Sequence, residues 1–119
     1  MDRRLLIVDD NQDFCDLMCL VAEDAGYETQ GVYSAAAFRD TYVSFAPSNI
    51  VLDLAIPDED GHELMRFLSD NKCTAKVAIA SSQPDAILHQ AEIFARALGL
   101  DFKGVLKKPF TQAEFLAVL

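Results

Sequence analysis

The stretch LLIVDDNQDF, residues 5–14, runs four apolar residues straight into two carboxylates. An unbroken apolar run of that length fits a strand buried on both faces. Ending it in Asp9 and Asp10 sets two like charges side by side, which costs energy unless positive charge stands nearby. An acidic pair alone is weak evidence, because an aspartate after a strand also serves as a turn former or helix N-cap.

Outward from this stretch, short apolar runs alternate with helical patterns. Phe14, Leu17, Met18, Val21, Ala22 and Ala25 follow helical spacing, and Gly26 stands where that helix would stop. Residues 27–33 read as a second strand, and Ser34 as the cap of a helix ending near Pro47. IVLDL, residues 50–54, is a third buried strand that carries Asp53, followed by the loop AIPDEDG and a short helix over residues 62–70. VAIA, residues 77–80, predicts a fourth strand, and SSQPD a polar turn. Ile87, Leu88, Ala91, Phe94, Ala95 and Leu98 form a helical stripe ended by Gly99. GVL, residues 104–106, is a fifth strand, and Thr111 with Glu114 makes a capping box for a last helix. Five strands alternating with five helices predict an α/β fold: a doubly wound, flavodoxin-like (βα)5 parallel sheet with strand order 2-1-3-4-5 and helices on both faces.

The 119 residues make one domain, large enough for a core without disulfides or a structural metal. A net charge of -9 argues against direct nucleic-acid binding by this domain. Cys15, Cys19 and Cys73 form no Cys-x-x-Cys pair. Cys15 and Cys19 lack the further ligands a zinc site needs, so they read as packing residues in a reducing compartment. The segment before Asp9 is too short for a signal peptide, and no later run approaches a membrane span. The expectation is a cytoplasmic protein that does not enter membranes.

In such a sheet, ligands bind at the carboxyl ends of the strands. The first strand ends in Asp9 and Asp10, the third carries Asp53, the fourth ends in Ser81, and the fifth runs into Lys107, Lys108 and Pro109. Each residue has an ordinary reading, as turn former or surface lysine. Together they put three carboxylates, a hydroxyl and an ammonium on one rim. Magnesium takes oxygen ligands from one or two carboxylates plus water and phosphate. A carboxylate can attack phosphorus to form an aspartyl phosphate, with lysine and serine holding the equatorial oxygens. A doubly charged cation would also offset the repulsion of Asp9 and Asp10.

These stretches, LLIVDD, VLDLAIPDEDGHEL, VAIASS and LKKPF, resemble the receiver domain of two-component response regulators over essentially the whole chain. The second is the most specific, with Pro57, Asp60 and Gly61 spaced after Asp53 as in that family. The resemblance implies that Asp53 is the phosphoacceptor, with Ser81 and Lys108 assisting. It implies Mg2+ held by Asp10, Asp53 and the backbone carbonyl of Ala55, with Asp9 acting through water. It also implies a cis bond between Lys108 and Pro109 that aims Lys108 inward. Implied partners are a sensor histidine kinase or phosphotransfer protein and an output domain or effector, with a homodimer also compatible. The domain would act as a switch, catalysing its own phosphorylation and dephosphorylation only.

Three departures stand out. Val105 occupies the place of the family's aromatic switch residue, Ala55 places no side chain over the phosphoryl site, and the segment between Ser81 and Lys108 is long around ARALGLDFKG. That length is expected to extend or displace the fourth helix or its following loop. The same segment, with GVLKKPF, resembles receivers fused to EAL-type cyclic-di-GMP phosphodiesterases. The apolar ending EFLAVL leads us to expect an N-terminal domain of a longer protein. Two alternatives remain: a pseudoreceiver that is never phosphorylated, and a haloacid-dehalogenase-like phosphohydrolase. The latter needs a second aspartate where Ala55 stands. His62, His89, Asp58 and Glu59 are expected to be solvated.

Overall fold

The computed structural model describes residues 3–119; the first two residues of the expected domain lie outside the described residues. In chain order the elements are β1 (Arg4–Val8), α1 (Gln12–Asp24), β2 (Glu28–Val32), α2 (Ala35–Phe45), β3 (Asn49–Leu52), β4 (Ala55–Ile56), β5 (Glu59–Asp60), α3 (Gly61–Asp70), β6 (Lys76–Ser81), α4 (Asp85–Ala97), β7 (Asp101–Lys107) and α5 (Gln112–Ala117). Five strands form one parallel sheet in the order β2-β1-β3-β6-β7. Counting those five alone, this is the expected 2-1-3-4-5 order of the flavodoxin-like fold.

Burial explains which strands read clearly in sequence. β1, β3 and β6 sit inside the sheet and are buried on both faces, hence their unbroken apolar runs. Successive side chains alternate between two cores. Leu6, Val8, Ile50, Leu52, Val77 and Ile79 face the α2, α3 and α4 layer around Phe38, Leu64, Leu68 and Leu88. Leu5, Ile7, Val51, Ala78 and Ala80 face α1 and α5 around Cys15, Met18, Ala22 and Phe115. The caps form as read: Ser34 accepts from the Ala37 N–H at 3.1 Å, and Thr111 and Glu114 close a capping box. Among the described residues no helix is long and apolar enough to cross a membrane.

Three sequence expectations are corrected. AIPDEDG is not a plain loop: β4 and β5 make a two-residue antiparallel hairpin pairing Ala55 with Asp60 and Ile56 with Glu59. Asp53 lies one residue past β3, at the rim rather than within the strand. The fifth strand is longer than the GVL read from the sequence: β7 runs from Asp101 to Lys107. Its register against β6 jumps from Phe102 to Gly104 as β6 steps from Val77 to Ala78, a bulge that absorbs one residue.

Cys15, Cys19 and Cys73 are free thiols, and the first two pack against Gly31 in β2. A Cβ placed on Gly31 would stand 2.8 Å from Cys15 Sγ and 2.9 Å from Cys19 Sγ, closer than side chains tolerate. Gly31→Ala is therefore expected to cost about 1–3 kcal/mol by overpacking. In urea denaturation, combining it with Cys19→Ala should cost less than the sum of the two single changes. Strict additivity would place the strain elsewhere.

Candidate functional site

The carboxyl ends of β1 and β3 are pinned to their neighbours by backbone bonds that continue the ladder. Asp9 N–H donates to Val32 O and Asp53 N–H to Val8 O, both at 3.1 Å. Those bonds fix where the two aspartates leave the sheet. Across β6 the ladder extends further, with Lys108 N–H donating to Ser81 O at 3.0 Å, and the bond from Lys108 to Pro109 is cis. The predicted site residues therefore converge because four adjacent strands end at one level.

Asp9 and Asp53 are buried, 1% and 5% exposed, whereas Asp10 is exposed. Asp9 is fully engaged: Oδ1 accepts from Asn11 N–H at 2.9 Å and Oδ2 from Lys108 Nζ at 2.6 Å. Lys108 Nζ stands 3.5 Å from Asp53 Oδ2, and Asp53 Oδ1 accepts from the Ala55 N–H at 3.1 Å. Burial, with repulsion from Asp9, pushes the Asp53 carboxyl above the ordinary carboxylate range, against the opposing pull of the Ala55 N–H and Lys108. Ser81 is completely buried, and its Oγ accepts from Gln83 N–H at 3.2 Å. Ser82 is exposed, and Lys107 points away to pair with Asp85 at the start of α4.

Among the described residues, Asp9, Asp10 and Asp53 each bring one oxygen within 4.8 Å of the others. An all-oxygen, anionic donor set of that kind fits a hard divalent cation. Asn11 rather than Asp10 caps α1, accepting from Phe14 N–H at 3.1 Å, so Asp10 has no capping duty. Ala55 is exposed and offers no side chain beyond Cβ at the rim. Within the site Asp10 and Ala55 are exposed, whereas Asp9, Asp53 and Ser81 are buried. A hollow of about 560 Å³ between Tyr42, Pro47, Ser48 and Thr74 lies at the opposite end of the sheet and has no charged lining.

Asp58 and Glu59, expected to be solvated, instead tie the Asp53 loop to α2. The Asp58 carboxylate accepts from Ala35 N–H at 3.0 Å and Ala36 N–H at 3.3 Å, and Glu59 pairs with Arg39 at 2.7 Å. Gly61 completes the loop: a Cβ there would stand 2.7 Å from Leu54 Cα, so only glycine lets α3 start so close to β3. His62 is also more engaged than expected, 2.8 Å from Asp60 through Nδ1, with its ring 5.1 Å from Phe94; His89 is exposed as read. Sequence reasoning missed the Asp58 contacts because their donors are backbone amides, which leave no residue signature.

Residues 5–119 match the response regulator receiver domain, and the chain belongs to that family. Transcriptional regulatory protein GltR of Pseudomonas aeruginosa is 30% identical over 118 residues, covering 97% of this chain and 46% of that protein. Transcriptional regulatory protein BasR of Escherichia coli is 30% identical over 116 residues, covering 96% and 49%. The chain thus spans about half the length of the curated relatives it matches. A response regulator signal receiver domain from Bermanella marisrubri aligns with a TM-score of 0.81 at 26% identity, covering 98% of this chain and 93% of the other. A CheY-like receiver domain protein from Methanospirillum hungatei, at 22% identity and a TM-score of 0.85 over 98% and 89%, is alike in fold.

The backbone N–H bonds from Ala35 and Ala36 hold the Asp58 carboxyl below its ordinary range. A lowered folded value means that Asp58 binds its proton more weakly in the folded chain than in the unfolded one. Its stabilisation is then fully present above about pH 4 and is lost as pH falls through the lowered value. Asp58→Ala should lower the melting temperature at pH 7, and the gap to the native chain should close in acid. A gap unchanged below pH 3 would contradict this.

Proposed function

We propose that this receiver domain is a phosphorylation-driven switch in which Asp53 accepts a phosphoryl group from a histidine kinase or phosphotransfer protein. The observation that carries the reading is the geometry around Asp53: a buried carboxylate 3.5 Å from a lysine ammonium and within 4.8 Å of two further carboxylates. An Asp53 carboxylate oxygen would attack phosphorus as the bond to the donor's imidazole nitrogen breaks. The electron pair leaves with that nitrogen, and a P–O bond forms on Asp53. Lys108 would donate to the transferred group's oxygens, and Ser81 Oγ would turn from its Gln83 contact to do the same.

Mg2+ fits the donor set, held by Asp10, Asp53 and the Ala55 carbonyl; when bound it supplies positive charge against the phosphoryl oxygens. Asp9 would act through water, in keeping with its engagement by Lys108 and Asn11. The chemistry is limited to phosphorylation and dephosphorylation of Asp53 itself, with no external substrate turned over. We place the domain in the cytoplasm and infer that it controls an output attached in the same protein or carried by a separate one. Its relatives named as transcriptional regulators favour a transcriptional output over a cyclic-di-GMP phosphodiesterase. With a net charge of -9, this domain would not itself bind DNA.

Intact mass spectrometry after incubation with acetyl phosphate and Mg2+ tests the reading. The native chain should gain one phosphoryl group, and the gain should vanish in Asp53→Asn and with chelator. If neither acetyl phosphate nor a histidine kinase's phosphorylated form adds mass, the pseudoreceiver reading replaces this one, as Val105 in place of an aromatic would then suggest.

A further inference from the structure

Lys108 is held by more than its carboxylates. Its Nζ stands 4.6 Å from the centre of the Phe14 ring, on the side of the site formed by α1. The ring is half-buried and braced from behind. Phe110 meets it edge to face, with centroids 5.5 Å apart and planes at 78°. Phe110 in turn stacks at 6.2 Å on Phe115, a buried residue of α5. The chain of three rings fixes which way Phe14 faces, and it faces the ammonium.

An aromatic face attracts an ammonium electrostatically without using any of its hydrogen bonds, so the three N–H donors stay available to oxygen. That matters for lysine, whose flexible stem otherwise lets its charge wander over the rim. Val105 on β7 supplies no ring, whereas Phe14 on α1 supplies one beside the lysine. An aliphatic side chain at position 14 would fill similar space without the negative ring face.

We propose that Phe14 is a positioning residue, whose ring face, braced by Phe110, holds the Lys108 ammonium between Asp9 and Asp53 for contact with the incoming phosphoryl oxygens. The proposal rests on the phosphoacceptor reading for its functional consequence and on the ring contact alone for its geometry. It also gives Phe14 a role beyond its place in the apolar stripe of α1.

Mono-, di- and trifluorinated phenylalanine at position 14 test it, because fluorine drains the ring face while barely altering its size. With acetyl phosphate and Mg2+, the logarithm of the phosphorylation rate should fall steadily along the series. The total loss should be about three- to tenfold, matched by Phe14→Leu and recovered in Phe14→Tyr. A flat series in chains of equal melting temperature would overturn the proposal. Proton NMR supplies a readout independent of phosphorylation. The Lys108 Hε protons should be shifted upfield by the ring in the native chain and return to ordinary values in Phe14→Leu. An unshifted native resonance overturns the placement of the lysine. A native chain that takes no phosphoryl group but shows the ring shift removes the phosphoacceptor reading and leaves the placement standing.

Discussion

Three carboxylates and a single ammonium share the rim where β1, β3 and β7 end, and that imbalance governs the site. Lys108 lies closer to Asp9 than to Asp53, at 2.6 Å against 3.5 Å, so its charge goes first to the more deeply buried acid. A buried carboxylate without such a partner would cost several kcal/mol. Lys108 therefore neutralises a buried acid of the folded chain as well as being a chemical resource. What is left over is two negative charges, on Asp10 and Asp53, facing the open side. A divalent cation would balance that surplus, and a phosphoryl group delivered to Asp53 would meet an ammonium already at hand. The juxtaposition of Asp9 and Asp10 is then a division of labour: one points in to anchor the lysine, and the other points out.

The scaffold serves this charge cluster by rigidity. Parallel strands buried on both faces carry their ends to one level, and ladder bonds from Asp9 to Val32 and from Asp53 to Val8 hold two of the carboxylates there. The loop after Asp53 is also constrained, folded into the β4–β5 hairpin and strapped to the start of α2 through Asp58 and Glu59. The loop that follows Asp53 is thus joined by hydrogen bonds to the start of α2. On the other side, Lys108 leans on an aromatic column that runs from α1 to α5. Neither set of contacts includes Val105.

Much of this was legible in the residues. β1, β3 and β6 announce themselves because burial on both faces demands unbroken apolar runs, and the site residues follow once the strand ends are placed. The caps at Ser34 and Thr111 are local chemistry and read directly. What failed was what depends on distant partners. β7 read short because Asp101 and Lys103 interrupt its pattern ahead of GVL, and an edge strand with a bulge tolerates such residues. Asp58 looked like a solvated loop acid because its partners are amides of a helix 23 residues away in sequence. Phe14 fitted a helical core stripe, and nothing local distinguishes a ring facing apolar neighbours from one facing an ammonium 94 positions later. The cap of α1 fell to Asn11, one residue beyond the acid that could have served, and that difference of one position leaves Asp10 available to a cation.

Whether Asp53, with a divalent cation, accepts a tetrahedral phosphoryl-like group decides the assignment of this site. Fluorine NMR of beryllofluoride binding tests this without relying on any phosphodonor. We expect bound fluorine resonances in the native chain that require Mg2+ and are absent in Asp53→Asn. No bound species in the native chain, or equal binding in Asp53→Asn, would contradict the assignment of this site.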